Sequence, residues 1–266
     1  MRSGCPPSNT KTFYTLPIMK KLILLVLPLV LIARQSSAQN KETLSVNAFD
    51  KVVISPRINV VFVKGEKESV ELIYSNIDAS MINVKVKHNK LHLYLYKSKW
   101  FERKEKYYVG ECDFKRDAYP TASVTAYVTY RDFKKLVVRG EEEVNIDDTL
   151  HTDKLKLKMY GEAELRIAAL ATDKLTAKLY GENVLKINGG HIKEQNFKLY
   201  GENKIDTRAI ESRTIASVIY GEGQLRVKAS DWMSLRAFGE PQIQLSGNAH
   251  LFKGLVIGNP RIQTRQ

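Results

Sequence analysis

From Leu155 to Ile167 apolar and polar residues alternate. Leu155, Leu157 and Met159 are separated by lysines, and Leu165 and Ile167 by an arginine. A period of two marks a strand with one face buried and the other wet. Tyr160-Gly161-Glu162 interrupts the alternation, and the glycine supplies a backbone turn that a side chain would oppose. The same grammar returns with Leu175, Ala177 and Leu179 before Tyr180-Gly181-Glu182, and with Leu185 and Ile187 after it. Tyr200-Gly201-Glu202 and Tyr220-Gly221-Glu222 follow at the same twenty-residue interval. Arg139-Gly140-Glu141 precedes the series; Phe238-Gly239-Glu240 and the degenerate Ile257-Gly258-Asn259 close it. A second corner falls near Asp153, Asp173, Gly189-Gly190 and Ser212.

A fixed period that sets Tyr over Tyr and Leu over Leu predicts stacked parallel coils. Each coil buries its apolar face only against the next, about 4.8 Å away. The expected fold is all-β: a β-helix or flattened solenoid over residues 133–266, with the Leu, Ile and Met columns inside. A closed antiparallel barrel or a sandwich of hairpins is the competing architecture. Residues 39–132 alternate over Val52–Ile54, Ile58–Val63, Val70–Tyr74, Val84–Lys87, Leu91–Tyr96 and Val124–Tyr130, without the twenty-residue period. Lys64-Gly65-Glu66 is a turn signal there, and Asn76–Met81 reads as a short helical turn. This region is expected to be an irregular β cap or a less regular start to the same solenoid. Within it, residues 98–120 read as a long irregular loop.

The first 38 residues change the picture of where the protein works. Lys20 and Lys21 precede the apolar run Leu22–Ile32, and Ser36-Ser37-Ala38 offers small residues for cleavage. The run holds Pro28 and is short for a membrane span, so 1–38 reads as a secretory signal behind an over-extended start, with Met19 the natural initiator. Its removal takes away five basic residues and no acidic one, which lowers the formal net charge from +13 to +8. A basic exported chain can meet acidic polysaccharide or anionic lipid; export argues against nucleic acid as partner. Periplasm, outer-membrane surface and extracellular space are the locations this allows. Cys112 alone remains beyond the leader, so no internal disulfide is expected; it is either a small buried hydrophobe or a free thiol.

The run Phe49-Asp50-Lys51-Val52-Val53-Ile54 leads into Ile58-Asn59-Val60-Val61-Phe62-Val63-Lys64-Gly65. Ser69-Val70-Glu71-Leu72, Lys90-Leu91-His92-Leu93 and then the ladder of Gly-centred turns follow. These features resemble the head GIN domain family, the head domains of auto-transporter adhesins of Gram-negative envelopes, from about Leu44 to Ile262. The resemblance implies a right-handed β-helix, like pectin-lyase-type folds but without their catalytic residues, and a role in adhesion. The family's Gly-Ser-Gly turns are replaced here by Gly-Glu-Ala, Gly-Glu-Asn and Gly-Glu-Gly. The chain stops at Gln266 straight after the last repeat, so self-translocation through a barrel is not expected.

Three constellations are candidate sites. The column Glu162, Glu182, Glu202, Glu222 would start about 4.8 Å apart between rungs, with repulsion of roughly 1 kcal/mol per pair even in bulk water. Ca²⁺ between rungs, helped by Asn183 and Asn203, would relieve it. So would splayed side chains neutralised by Lys158, Lys178 and Lys198. The column Tyr160, Tyr180, Tyr200, Tyr220 reads as an outward stacking ladder that could also dock sugar rings or peptide. The loop at 98–120 carries Trp100, Phe101, Tyr107 and Tyr108 among Lys and Arg, a mixture suited to sulfated or uronic-acid glycans or a membrane surface, or to covering an end of the core. No Gly-x-Ser-x-Gly elbow, phosphate loop or metal-type histidine spacing is present in the sequence, and no cofactor other than calcium is suggested. The reading is a non-enzymatic envelope protein that binds a glycan or protein surface. A β-helix carbohydrate-active enzyme and a structural protein assembling into homo-oligomers through open solenoid ends are the alternatives.

Overall fold

The computed structural model describes residues 39–102, 104–109 and 112–265. Regular structure within them is almost wholly β, with a single short 3-10 turn at Ala79–Met81. The chain winds as a right-handed β-solenoid of about seven turns with an N-terminal β region. Pairing along the repeats is parallel and in the expected columns: Tyr160 opposes Tyr180, Tyr180 opposes Tyr200, Tyr200 opposes Tyr220, and Tyr220 opposes Phe238. Leu155, Leu157 and Met159 point inward on one side of the coil, and Leu165 and Ile167 on the next.

The coil has a third, short side that the period-two pattern hides. Thr149–His151 pairs with Ala169–Ala171, and Leu170–Thr172 with 190–192. Inward positions step by three from Ile167 to Leu170 and again from Thr172 to Leu175, and each odd step requires a bend. Asp173 and Gly190 therefore belong to different corners, not to one. At the first corner the glycines are sterically obligatory. Gly181 has φ +109°, and a side chain there would place its Cβ 2.2 Å from the Gly161 carbonyl oxygen of the rung before.

Inside that corner runs a buried amide ladder. Asn203 Oδ1 accepts from Asn183 N (3.2 Å) and Asn183 Nδ2 (3.1 Å), and Asn183 Oδ1 accepts from Ala163 N (3.2 Å). Their amide nitrogens donate to Tyr180 O (3.0 Å) and Tyr200 O (2.9 Å). Both side chains are thus committed to the turn interior, on the other side of the backbone from the exposed glutamate column.

The parallel ladder starts earlier than residue 133. Lys51–Ile54 pairs with 135–138, and 60–62 pairs with 144–146, both parallel. Beyond this rung Lys90–Leu95 and Ser123–Tyr130 continue the parallel stack. Antiparallel strands then close the end: Ile82–Lys87 on one side, and Ser69–Ser75 followed by Asn40–Ser45 on the other. Phe62, Tyr130 and Phe133 meet beneath at ring distances of 5.1–5.8 Å. Residues 98–120 are more regular than their composition suggests: Lys104–Val109 and Cys112–Asp117 form an antiparallel hairpin. Its sequence lacks the apolar–polar alternation that betrays a half-buried strand, which is why it reads as a loop.

Candidate functional site

The tyrosine column is a continuous stack on the outside of the solenoid. Successive ring centroids from Tyr160 to Phe238 lie 4.5–5.1 Å apart and within 5° of parallel. Each interior ring therefore has a neighbour on both faces. Solvent meets ring edges and hydroxyls, and Tyr200 and Tyr220 are 36% and 40% exposed. A sugar ring docks on an aromatic face through its C–H bonds, and the faces here are taken.

At its N-terminal end the column changes chemistry. Arg139 occupies the tyrosine position, opposite Tyr160. Its guanidinium lies 5.8 Å from the Tyr160 ring centroid and 4.4 Å from that of Trp100. Arg139 thus joins the ladder to the 98–120 segment, which the sequence presents as a separate surface. Trp100 and Phe101 stand out from this arm, 60% and 83% exposed.

The arm is pinned at both ends. The Ser55 hydroxyl donates to Lys99 O (2.7 Å), which leaves its oxygen to accept from His92 Nε2 (3.0 Å). The neutral imidazole therefore carries its proton on Nε2. Burial, then the positive charges of Lys99, Arg139 and Lys90, hold the His92 pKa down at about 4. At the other end Arg57 donates from Nε to Glu102 Oε1 (2.5 Å) and from Nη2 to Asp117 Oδ2 (3.3 Å).

Between the arm and the first Gly-Glu turns lies a cleft of about 710 Å³, lined by Arg57, Trp100, Phe101, Arg139, Glu142 and Tyr160 among others. Glu142 forms part of its floor and is 9% exposed. Its Oε1 accepts from Arg57 N (2.5 Å), while its buried Oε2 has no hydrogen-bond partner. A Cβ at Gly140 would lie 2.1 Å from that oxygen, so the carboxyl fills the space a side chain there would need. Burial raises the Glu142 pKa to about 7, against hydrogen bonds from the backbone of Arg57 and Glu141 and the charge of Arg57.

The remaining candidate residues are placed as follows. Glu162, Glu182, Glu202 and Glu222 are all exposed, one per rung, at the outer side of the turns. The first three anchor through their backbone N–H to the glycine carbonyl of the preceding rung, at 2.9–3.0 Å. Among the described residues no group of three or more His, Cys, Asp or Glu is placed to hold a metal ion. Tyr107 lies in Lys104–Val109 with Tyr108, and both side chains, like that of Cys112 and the leader 1–38, lie outside the described residues. Sequence reasoning missed Arg57, His92, Arg139 and Glu142. Two of them left a trace: Arg139 breaks the tyrosine column, and Glu142 breaks the inward column of Ala163, Asn183 and Asn203.

The described residues form a parallel β-solenoid with an arm-covered cleft. The family model described as "putative auto-transporter adhesin, head GIN domain" matches residues 48–249, and the chain belongs to that family. Solved structures share the fold. A putative adhesin from Bacteroides fragilis is 19% identical with a TM-score of 0.70, and one from Parabacteroides distasonis is 14% identical with a TM-score of 0.65. A structure from Parabacteroides distasonis described as a putative lipid binding protein is 12% identical with a TM-score of 0.62. Each alignment covers 87% of this chain and 98% of the other. Comparison with curated proteins found no match.

Proposed function

We propose that the protein is an exported, non-enzymatic, adhesin-like component of the cell envelope that binds a glycan in the cleft behind Trp100 and Phe101. One observation carries this reading. Two large aromatic side chains are held out in water on an arm fixed at both ends, over a cleft of small-ligand size. Ordering such an arm costs entropy, and exposing Trp and Phe forgoes burial; a partner that covers them recovers both. The adhesin family supports a surface-binding role.

The test is retention of the protein lacking residues 1–38 on a glycan array, with the eluate analysed for cleaved products. Retention without turnover is the expected result; sugar release would make the protein an enzyme, and no retention on any glycan would end the binding reading. A second reading has its own observation. Phe252, Leu255 and Ile257 are 67%, 58% and 56% exposed on His250–Ile257, a strand whose outer edge pairs with nothing among the described residues. Concentration-dependent assembly in light scattering, abolished by Phe252→Ser, would support homo-oligomers built through that end.

A further inference from the structure

We infer that the cleft selects a neutral, hydroxyl-rich sugar and excludes uronate and sulfated glycans, which rests on the glycan reading above and names its ligand class. The overall basic charge of the chain points the other way, so the local charges decide. Four carboxylates line the cleft, those of Glu102, Glu141, Glu142 and Glu162, against the two guanidinium groups of Arg57 and Arg139. One of the two cations is already committed to carboxylates. Arg57 already bridges Glu102 and Asp117. The Arg139 guanidinium lies 4.4 Å from the Trp100 ring centroid and 5.8 Å from that of Tyr160. An anionic sugar would therefore meet the exposed carboxylates of Glu141 and Glu162 at the mouth, with Arg139 as the one guanidinium not already held by a carboxylate.

The same groups suit hydroxyls. Glu141 and Glu162 are exposed at the mouth, and carboxylates accept hydrogen bonds from hydroxyl pairs. On the floor, Glu142 is more than nine-tenths buried with Oε2 unpartnered, a costly arrangement that a sugar hydroxyl reaching it, able both to donate and to accept, would relieve. Phe101, 83% exposed, offers the open aromatic face that the stacked tyrosines lack. A sugar without charge can use all three features at once: its C–H face on Phe101, its hydroxyls on the carboxylates, and no ionic penalty.

The experiment is an array carrying neutral hexose oligosaccharides, polygalacturonate fragments, sulfated oligosaccharides and amino-sugar oligomers, probed with the protein lacking residues 1–38. Retention on the neutral members is expected, with about a tenfold or greater loss for Phe101→Ser and for Trp100→Ala. Phe101→Ser changes an exposed side chain, so it reports on binding even if Trp100→Ala weakens the arm. Phe252→Ser, at the far end, should bind as the parent does. The double variant Glu141→Gln, Glu162→Gln should gain polygalacturonate binding by roughly tenfold, a readout that a merely structural role would not produce. Preference for acidic, sulfated or amino sugars that is lost with Phe101→Ser would overturn the inference and keep the glycan reading. Neutral-sugar binding indifferent to both aromatic variants would also overturn it, by placing the site elsewhere. An array with no bound member would remove both.

Discussion

Replacing Glu142 by glutamine should unmask a dependence of stability on pH that the wild-type protein hides. The Glu142 carboxyl has its pKa raised from an ordinary 4.5 to about 7 by burial. The folded state therefore keeps a proton that the unfolded chain releases. That contribution is complete below pH 4.5 and is lost as pH rises through 7; at about 1.4 kcal/mol per pH unit it amounts to about 3 kcal/mol. His92 does the reverse. Its folded pKa is lowered from 6.5 to about 4, so its contribution is complete above pH 6.5 and is lost as pH falls through 4, again by about 3 kcal/mol. Between pH 4.5 and 6.5 the folded state holds one proton more at Glu142 and one fewer at His92, and the two slopes cancel. The depressed carboxylates Asp78, Glu194, Asp206 and Asp231 act at lower pH and leave this window clear. Around the two groups stand Arg57, Glu102, Glu141, Lys90, Lys99 and Arg139. Urea midpoints at pH 4.5, 5.5, 6.5 and 7.5 provide the measurement. Wild type should be nearly flat up to pH 6.5, Glu142→Gln should gain about 3 kcal/mol on going from pH 4.5 to 6.5, and His92→Gln should lose about as much. A Glu142→Gln profile parallel to wild type would show that the carboxyl is not held protonated, and the reasoning would fail.

Gly181→Ala should cost about 3 kcal/mol or more, because the new Cβ meets the Gly161 carbonyl oxygen at 2.2 Å with φ at +109°; a thermal midpoint within a degree of the parent would contradict the turn geometry. Tyr200→Phe should leave the midpoint almost unchanged, whereas Tyr200→Ala removes two stacking contacts, at 4.9 and 5.1 Å, and should cost about 1–3 kcal/mol. Equal losses in the two variants would mean that the hydroxyl, not the ring, matters. The Tm in millimolar calcium should match the Tm in chelator, since the exposed glutamates come one to a rung and Asn183 and Asn203 are turned inward. A calcium-dependent rise would restore the ion ladder as an explanation of the glutamate column.

The parts of this protein legible in its sequence are those that repeat. Parallel stacking in register makes each column a set of residues under one physical demand. Four Tyr-Gly-Glu turns thus reveal the solenoid, its inside and its outside from spacing alone. The third side of the coil escaped because it is only about three residues long, too short for an alternation to show. The N-terminal rungs escaped because the chain runs through the end rung and the antiparallel cap between Lys64 and Lys135, so that pairs such as Val60 with Val144 share no period. The cleft lies where repeat and cap meet, and its residues were illegible for a related reason. Arg57, Ser55 and His92 come from the aperiodic region; Ser55 and His92 are 37 residues apart, and the partners Lys99, Glu102 and Asp117 lie across gaps of 44 to 60 residues. What the repeat can do is show where a column is broken. A stacking position holding Arg139 in place of tyrosine keeps a flat, polarisable group in the column but changes its charge. An inward turn position holding Glu142, where the next rungs hold Ala163, Asn183 and Asn203, puts an ionisable group where the fold asks for a small or amide one. Both departures occur on one rung and both face the same cleft. In a solenoid each rung has nearly the same structural task, so a rung that pays extra to carry a buried carboxyl is the place to look for work other than holding the fold together.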